Sequence, residues 1–303
     1  MILAGNQLHE EIQLSNNSQE PQEKILIIGL GQIGYSNAKY MTSKGLWVEG
    51  YDVSQQALHR ALDGGVIKKI ATDFVDYDFY VICISTHQQE NMFMPDLNGI
   101  YEVAYHISKQ GKPGALVGID STIPRGTSHK VNQILEHRQH VVHVPHRFYI
   151  NEQKDHGVNQ TRVIGSCKPC CMQKAQHFYG KLLEIPLFPV SSPDIAELTK
   201  IVENSYRYVE IAFAEELKII CDQTNVDFNE LRSAVNTKWN INILEAQKGI
   251  DGHCLPKDSQ MLLDISKNVI HSSVIEAAKK IDHQYRIHIE QSSAQHIPVS
   301  LNR

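Results

Sequence analysis

Gly249-Ile-Asp-Gly-His-Cys254-Leu-Pro-Lys-Asp258 is the stretch of this sequence richest in reactive groups. Two glycines bring the backbone in tightly before Cys254, and Pro256 suits the first position of a new helix. That sets the Cys254 sulfur near a helix N-terminus with Lys257 close by, and both features lower a thiol's pKa. Such a thiolate is a nucleophile for covalent chemistry; a buried cysteine at a loop–helix junction accounts for the same residues. Lys200 and Asn204 stand four apart in a helical pattern and project from one face. A lysine beside an amide binds a developing oxyanion or holds a water; a solvated polar face is the alternative.

Gly29-Leu-Gly31-Gln32-Ile33-Gly34 follows an apolar run and opens a helical stretch. In that context Gly29 makes a tight turn, Gly31 lets backbone approach a pyrophosphate, and Gly34 allows close helix–strand packing. Asp52 ends the next strand, eighteen residues beyond Gly34. A carboxylate there accepts ribose hydroxyls and repels a 2′-phosphate, which favours NAD over NADP. Val53 and Ser54 follow, and no basic partner for a phosphate is evident. A structural turn plus a surface aspartate is the bland alternative.

The elements that must carry these groups follow from periodicity. Lys24–Gly29 is almost wholly apolar, as a strand buried on both faces must be. Further strands are expected at 46–52, 79–85, 115–120, 141–144, 162–164 and 185–190, with helices over 96–109, 126–138 and 170–183. This alternation predicts an α/β fold, a Rossmann-type doubly wound parallel sheet. After Val190 the pattern changes. Ser191-Ser-Pro-Asp194 starts a helix, and apolar residues recur at Ile195, Leu198, Val202, Tyr206, Val209, Phe213, Leu217 and Ile220. One helix of roughly 28 residues, about 42 Å long, explains them. Asp227-Phe-Asn-Glu230 resembles a capping box, and 271–290 reads as a further helix. The expected organisation is a tail over 1–22, a cofactor-binding domain over 23–190, an all-helical domain with one long helix over 191–290, and a tail over 291–303.

Composition narrows the function classes. At 303 residues, 42% hydrophobic and 21% charged, the chain is an ordinary globular protein with room for about two domains. A net charge of −5 offers no basic surplus for nucleic acid. No signal-like segment and no run of roughly 18 apolar residues exists, so neither membrane insertion nor export is expected, and the location reads as cytoplasmic. Six cysteines without regular spacing read as free thiols. Cys167-Lys-Pro-Cys170-Cys171, with His177 farther along, lacks a second finger-like pair. A helix start with small apolar thiols fits it better, and no metal is expected.

Six segments in order resemble the UDP-glucose/GDP-mannose dehydrogenase family, which includes UDP-N-acetylmannosamine dehydrogenases. They are Gly29–Gly34, Cys83-Ile-Ser85-Thr86, Ser121-Thr-Ile-Pro-Arg-Gly-Thr127, Ala196-Glu-Leu-Thr-Lys-Ile-Val-Glu-Asn204, Gly252-His-Cys-Leu-Pro-Lys-Asp258 and Val274–Ile281. The resemblance implies two successive NAD-dependent oxidations of a sugar-nucleotide alcohol to a uronic acid. It implies that Cys254 attacks the intermediate aldehyde, giving a thiohemiacetal and then a thioester. Lys200 and Asn204 match its oxyanion- and water-handling pair, Asp258 the acid that orients the lysine and water, and Thr122 a water-holding threonine. Ser85, Thr86 and Ser121 join Gly29, Gly31, Gln32, Ile33, Gly34 and Asp52 as implied cofactor contacts. The family's long helix is a dimer core, so a homodimer is implied, with Phe213, Leu217 and Ile220 along the seam.

Three departures are visible. In Pro145-His-Arg-Phe-Tyr-Ile-Asn151, His146 and Ile150 stand where the family has glutamates. The first of these is a general base in thioester hydrolysis, for which His146 could substitute. Asp251 puts a carboxylate near Cys254, which would oppose thiolate formation. The sequence ends where the family begins the domain that grips the substrate nucleotide; a separate subunit or the dimer mate could complete that wall. Two rival readings are a β-hydroxyacid dehydrogenase acting once on a small acid and a non-catalytic NAD-binding partner.

Overall fold

The computed structural model describes residues 23–88, 90–91, 94–148 and 157–295. The expected tail over 1–22 lies outside these residues, as do Ile150 and Asn151. Strand β1 (Lys24–Ile28) lies in the interior of the sheet. Its side chains divide between two cores. Ile25 and Ile27 pack with Met41, Val48, Phe79 and Val81 on one face, and Leu26 and Ile28 with Tyr80, Ile82, Ile100 and Val117 on the other. Burial on both faces explains a strand with no polar alternation.

Helix α1 (Gln32–Ser43) returns the chain to β2 (Trp47–Tyr51), and α2 (Gln55–Asp63) leads to a two-residue β3 (Lys69–Ile70). The next elements are β4 (Phe79–Ile82), α3 (Asn98–Gln110), β5 (Leu116–Ile119), α4 (Thr127–Ile134) and β6 (His140–His143). The sheet closes with β7 (Arg162–Ser166), α5 (Pro169–Ala175) and β8 (Leu187–Pro189). Strand order is β3-β2-β1-β4-β5-β6-β7-β8. It reverses direction between β1 and β4, the crevice where doubly wound sheets bind ligands. All pairs are parallel except β6 with β7, so the sheet expected to be parallel is mixed at that junction. The helix expected over 170–183 is α5 followed by wider turns of π type over Gln176–Leu182. Helix α2 is not among the helices expected from the sequence; it buries Leu58 and Ala61 on one face, and Ser54 caps it through a bond from the Ala57 amide at 3.3 Å.

Helix α6 (Pro193–Thr224) is longer than the spacing suggested, 32 residues. Ser192 caps it, Pro193 occupies its first turn, and Asn225 ends it in the left-handed region at φ 57°. Its start lies directly on β7: a Cβ added to Gly165 would come within 2.5 Å of the Ser192 carbonyl oxygen. Helices α7 (Phe228–Val235), α8 (Cys254–Ser266) and α9 (Val274–Gln295) follow, α8 and α9 packing along α6. α6 buries Ala196, Ile201, Tyr208 and Ala212, whereas Val202, Tyr206, Phe213 and Ile220 face outward. Most of the apolar stripe that revealed the helix is therefore not its core face.

A buried ionic knot holds the sheet to its helices. The Arg162 guanidinium donates to Asp120 at 2.6 Å, with the two side chains 2% and 0% exposed. Arg162 also donates to the Asn37 side-chain oxygen, and Asn37 to Asp120 at 2.9 Å. The Tyr179 hydroxyl donates to the other Asp120 oxygen at 2.8 Å. Four elements thus meet on one carboxylate. Removing one partner of such a pair strands a buried charge. Arg162→Met is expected to cost about 3–5 kcal/mol in urea unfolding, part of it restored in the Asp120→Asn/Arg162→Met double variant. A loss below about 1 kcal/mol would show that the pair is dispensable.

Candidate functional site

The turn after β1 has the shape its glycines predict. Gly29 sits at φ 90°, and a Cβ there would lie 2.7 Å from the Cys83 carbonyl oxygen. A Cβ on Gly34 would lie 1.7 Å from the Gly29 carbonyl oxygen, so α1 can approach the turn only as glycine. Gly31, in contrast, faces open space, leaving the mouth of the turn free at the start of α1, where Gln32 and Ile33 form the first helical residues. Asp52 accepts the Leu30 amide at 2.6 Å and the Ser54 amide at 2.7 Å, which fixes its carboxylate at the end of β2. A basic group does approach this region: Arg60 donates to the Leu30 carbonyl at 2.7 Å and lies over the Tyr35 ring. These residues fit the adenosine and pyrophosphate of a dinucleotide: an open, amide-lined turn and a fixed carboxylate.

The carboxyl ends of β4 and β5 bring Ser85, Thr86, Ser121 and Thr122 into one neighbourhood. The Thr86 hydroxyl donates to the Thr122 carbonyl at 2.7 Å, and the Ser121 hydroxyl to the Ile84 carbonyl at 2.8 Å. Glu197, fully buried on α6, accepts the Gly126 and Ser128 amides at 2.6 and 2.7 Å, capping α4. The Ser121–Thr127 loop is thereby tied to the helix carrying Lys200 and Asn204. Glu197 fell within a matched segment, but nothing in its local pattern marks it as a cap for a distant helix.

At the thiol end, Cys254 opens α8 and is reached by solvent. Asp258, buried one turn on, accepts from the Lys257 ammonium at 2.6 Å and from the Asn204 amide. The lysine hydrogen-bonded to Asp258 is thus Lys257, and Lys200 feels Asp258 through the field. Burial pushes the Lys200 ammonium down, opposed by the charges of Asp258, Glu203 and Cys254. The thiol does not behave as the helix start suggested. The protein packed around Cys254 pushes it up, Asp258 adds to that, and Lys257 and Lys200 oppose. Asp251 is not the opposing carboxylate; it is exposed and turns to Arg286 at 3.4 Å. The thiol is held up and the lysine held down, so their proton affinities move toward each other from their ordinary values.

Three further side chains reach this neighbourhood. His87, after β4, packs its ring on His253 at 4.8 Å between centroids and shares a 2.8 Å hydrogen bond with Ser85. Burial and the charges of His253 and Lys257 push it down. Arg147 pairs with Glu203 and donates to the Thr161 carbonyl at 2.9 Å. The buried His146 ring is pushed well below its usual range by burial, then by the charges of Lys200, Arg162 and Lys257. It is therefore a neutral imidazole, and its Nδ1 has no hydrogen-bond partner among the described residues.

Residues 59–183 match the model of the NAD-binding domain of the UDP-glucose/GDP-mannose dehydrogenase family, and residues 194–284 that of its central domain. The chain is 27% identical to the UDP-N-acetyl-D-mannosamine dehydrogenase of Methanococcus maripaludis over 86% of its own length and 65% of the relative's. It is 29% identical to the NDP-N-acetyl-D-galactosaminuronic acid dehydrogenase of Ralstonia nicotianae, over 79% and 64%. The chain thus spans less than two thirds of these curated relatives. Among solved structures, the UDP-D-ManNAc dehydrogenase of Pyrococcus horikoshii superposes with a TM-score of 0.78 at 27% identity, over 88% of this chain and 70% of that one.

Alkylation kinetics check the electrostatics. The iodoacetamide rate at Cys254, followed against pH, is expected to rise with a midpoint above the ordinary cysteine range. Asp258→Asn removes a negative charge and is expected to move the midpoint down, whereas Lys200→Met moves it up. A wild-type midpoint at or below the ordinary range would overturn the assignment.

Proposed function

The chain belongs to the UDP-glucose/GDP-mannose dehydrogenase family, and from that premise we propose that it oxidises the primary alcohol of a nucleotide sugar to the carboxylate, using NAD. The observation that carries the reading is the meeting of the two ends of the site. His87 from the nucleotide side touches His253, beside Cys254, while Glu197, Lys200 and Asn204 on α6 span from the β5 loop to Asp258. The names of the relatives favour a UDP-linked 2-acetamido sugar such as UDP-N-acetylmannosamine.

In this reading Gly29–Gly34 and Asp52 hold NAD, with Ser85, Thr86 and Ser121 beside it, and NAD supplies the hydride acceptor. Loss of one hydride and one proton turns the alcohol into an aldehyde. The Cys254 sulfur then bonds to the aldehyde carbon, its proton passing to the new oxygen through the neighbouring lysine, Lys200. Lys200 and Asn204 stabilise charge on that oxygen, and Asp258 holds Asn204 and Lys257 in place. A second loss of one hydride from carbon and one proton from the hydroxyl leaves a thioester, and water displaces the sulfur to give the acid and the free thiol. Thr122 positions a water. His146 stands ready in its neutral form to accept that water's proton, although its depressed pKa makes it a weak base. The covalent bond keeps the aldehyde from escaping between oxidations.

A second copy of the chain is the proposed partner of α6. Val202, Tyr206, Phe213 and Ile220 form an outward stripe of large apolar side chains along α6. A helix this apolar on an open face gains most by burying it against itself.

Two measurements test these readings. With a panel of UDP- and GDP-sugars, two NADH per sugar are expected, and Cys254→Ala is expected to abolish acid formation with NAD binding unchanged. One NADH per sugar would favour a single oxidation, and normal acid formation by Cys254→Ala would exclude covalent catalysis. In the same assay NADP is expected to bind at least about tenfold more weakly, about 1.4 kcal/mol, because Asp52 faces the 2′-phosphate while Arg60 is committed to Leu30. By light scattering the chain is expected to run at twice its mass, and Tyr206→Asp/Phe213→Asp as a monomer. A wild-type monomer at micromolar concentration would remove the dimer.

A further inference from the structure

Cys170 and Cys171 lie in the first turn of α5, and His140 opens β6, the strand on which that helix packs. One donor atom from each residue, a ring nitrogen and two sulfurs, lies within 4.8 Å of the other two. The cluster is far in sequence from Cys254 and shares no residue with the site above. We propose that His140, Cys170 and Cys171 bind a thiophilic divalent cation, Zn²⁺ or its analogues, with water in the fourth position.

The donor set is the first argument. Two thiolates and an imidazole are the ligands zinc takes, and they disfavour the oxygen-seeking Mg²⁺ and Ca²⁺. Distance is the second. Bonds of about 2.3 Å to sulfur and about 2.0 Å to nitrogen put neighbouring tetrahedral donors roughly 3.5–3.8 Å apart. Side-chain rotation closes the remaining gap of about 1 Å without moving a strand. Surroundings are the third. Cys171 is buried while His140 is half-buried and Cys170 is exposed, so an ion can reach the cluster from solvent and a water can complete its coordination. In sequence, Cys167 and His177 stand beside Cys170 and Cys171. Cys167 faces His129 across 3.8 Å, and His177 faces Glu23, so neither joins the cluster.

The test is a Co²⁺ titration of the reduced full chain in chelator-free buffer. One Co²⁺ per chain is expected, with thiolate-to-cobalt charge-transfer absorption that Zn²⁺ abolishes. Cys170→Ser changes a solvent-exposed residue and is expected to remove the band without unfolding the chain. His140→Asn is expected to raise the dissociation constant at least about tenfold. Cys254→Ser is expected to keep the band. No charge-transfer band, a band that survives Cys170→Ser, or a band lost in Cys254→Ser would each overturn the site; the last would place the metal at the dehydrogenase thiol.

Discussion

The Asp120 carboxylate, at the end of β5 and out of reach of water, is the constraint on which the rest of the structure depends. A charge in that place is tolerated only if several donors converge on it, and they come from three other parts of the chain. Asn37 brings α1, Arg162 brings β7, and Tyr179 brings the turns after α5. Asn37 also reaches the Cys83 sulfur at the end of β4. The strand ends that carry Ser85, Thr86, Ser121 and Thr122 are therefore held at one spacing by a single buried centre. The adjacent glycine turn inherits that spacing, because Gly29 packs against Cys83 with no room for a side chain.

Helix α6 extends this order to the thiol. Glu197, Lys200 and Asn204 share one face: Glu197 meets the start of α4, Lys200 lies in the field of Asp258, Glu203 and Cys254, and Asn204 meets Asp258 on α8. One rigid helix thus sets the distance between the sheet and the start of α8, where Cys254 sits. Burial moves the two pKa values in opposite directions, up for Cys254 and down for Lys200. The helix start and the nearby lysines, which taken alone favour a thiolate, are outweighed by desolvation and by Asp258.

Much of the architecture was legible in the chain itself, because the groups involved are local. Alternating apolar strands and helices, the glycine turn, Asp52 at the end of β2, the Ser192 cap and the start of α8 are each written within a few residues. So is the four-residue spacing of Lys200 and Asn204. The two-residue β3 and the wider turns of Gln176–Leu182 carry too little period to be read. The antiparallel β6–β7 pair is set by how the chain between them returns, not by either strand's composition.

The sequence by itself determined which residues have the chemistry and on which local elements they sit. Only the tertiary structure decided which of them meet. Asp120 with Arg162, Glu197 with the start of α4, His87 with His253, and His140 with Cys170 and Cys171 are contacts between distant segments. It also reversed two electrostatic expectations, the ionisation of Cys254 and the carboxylate that opposes it. The reason is the same in every case. Spacing along a chain fixes direction over a turn or two, whereas burial and charge pairing depend on what the fold packs alongside.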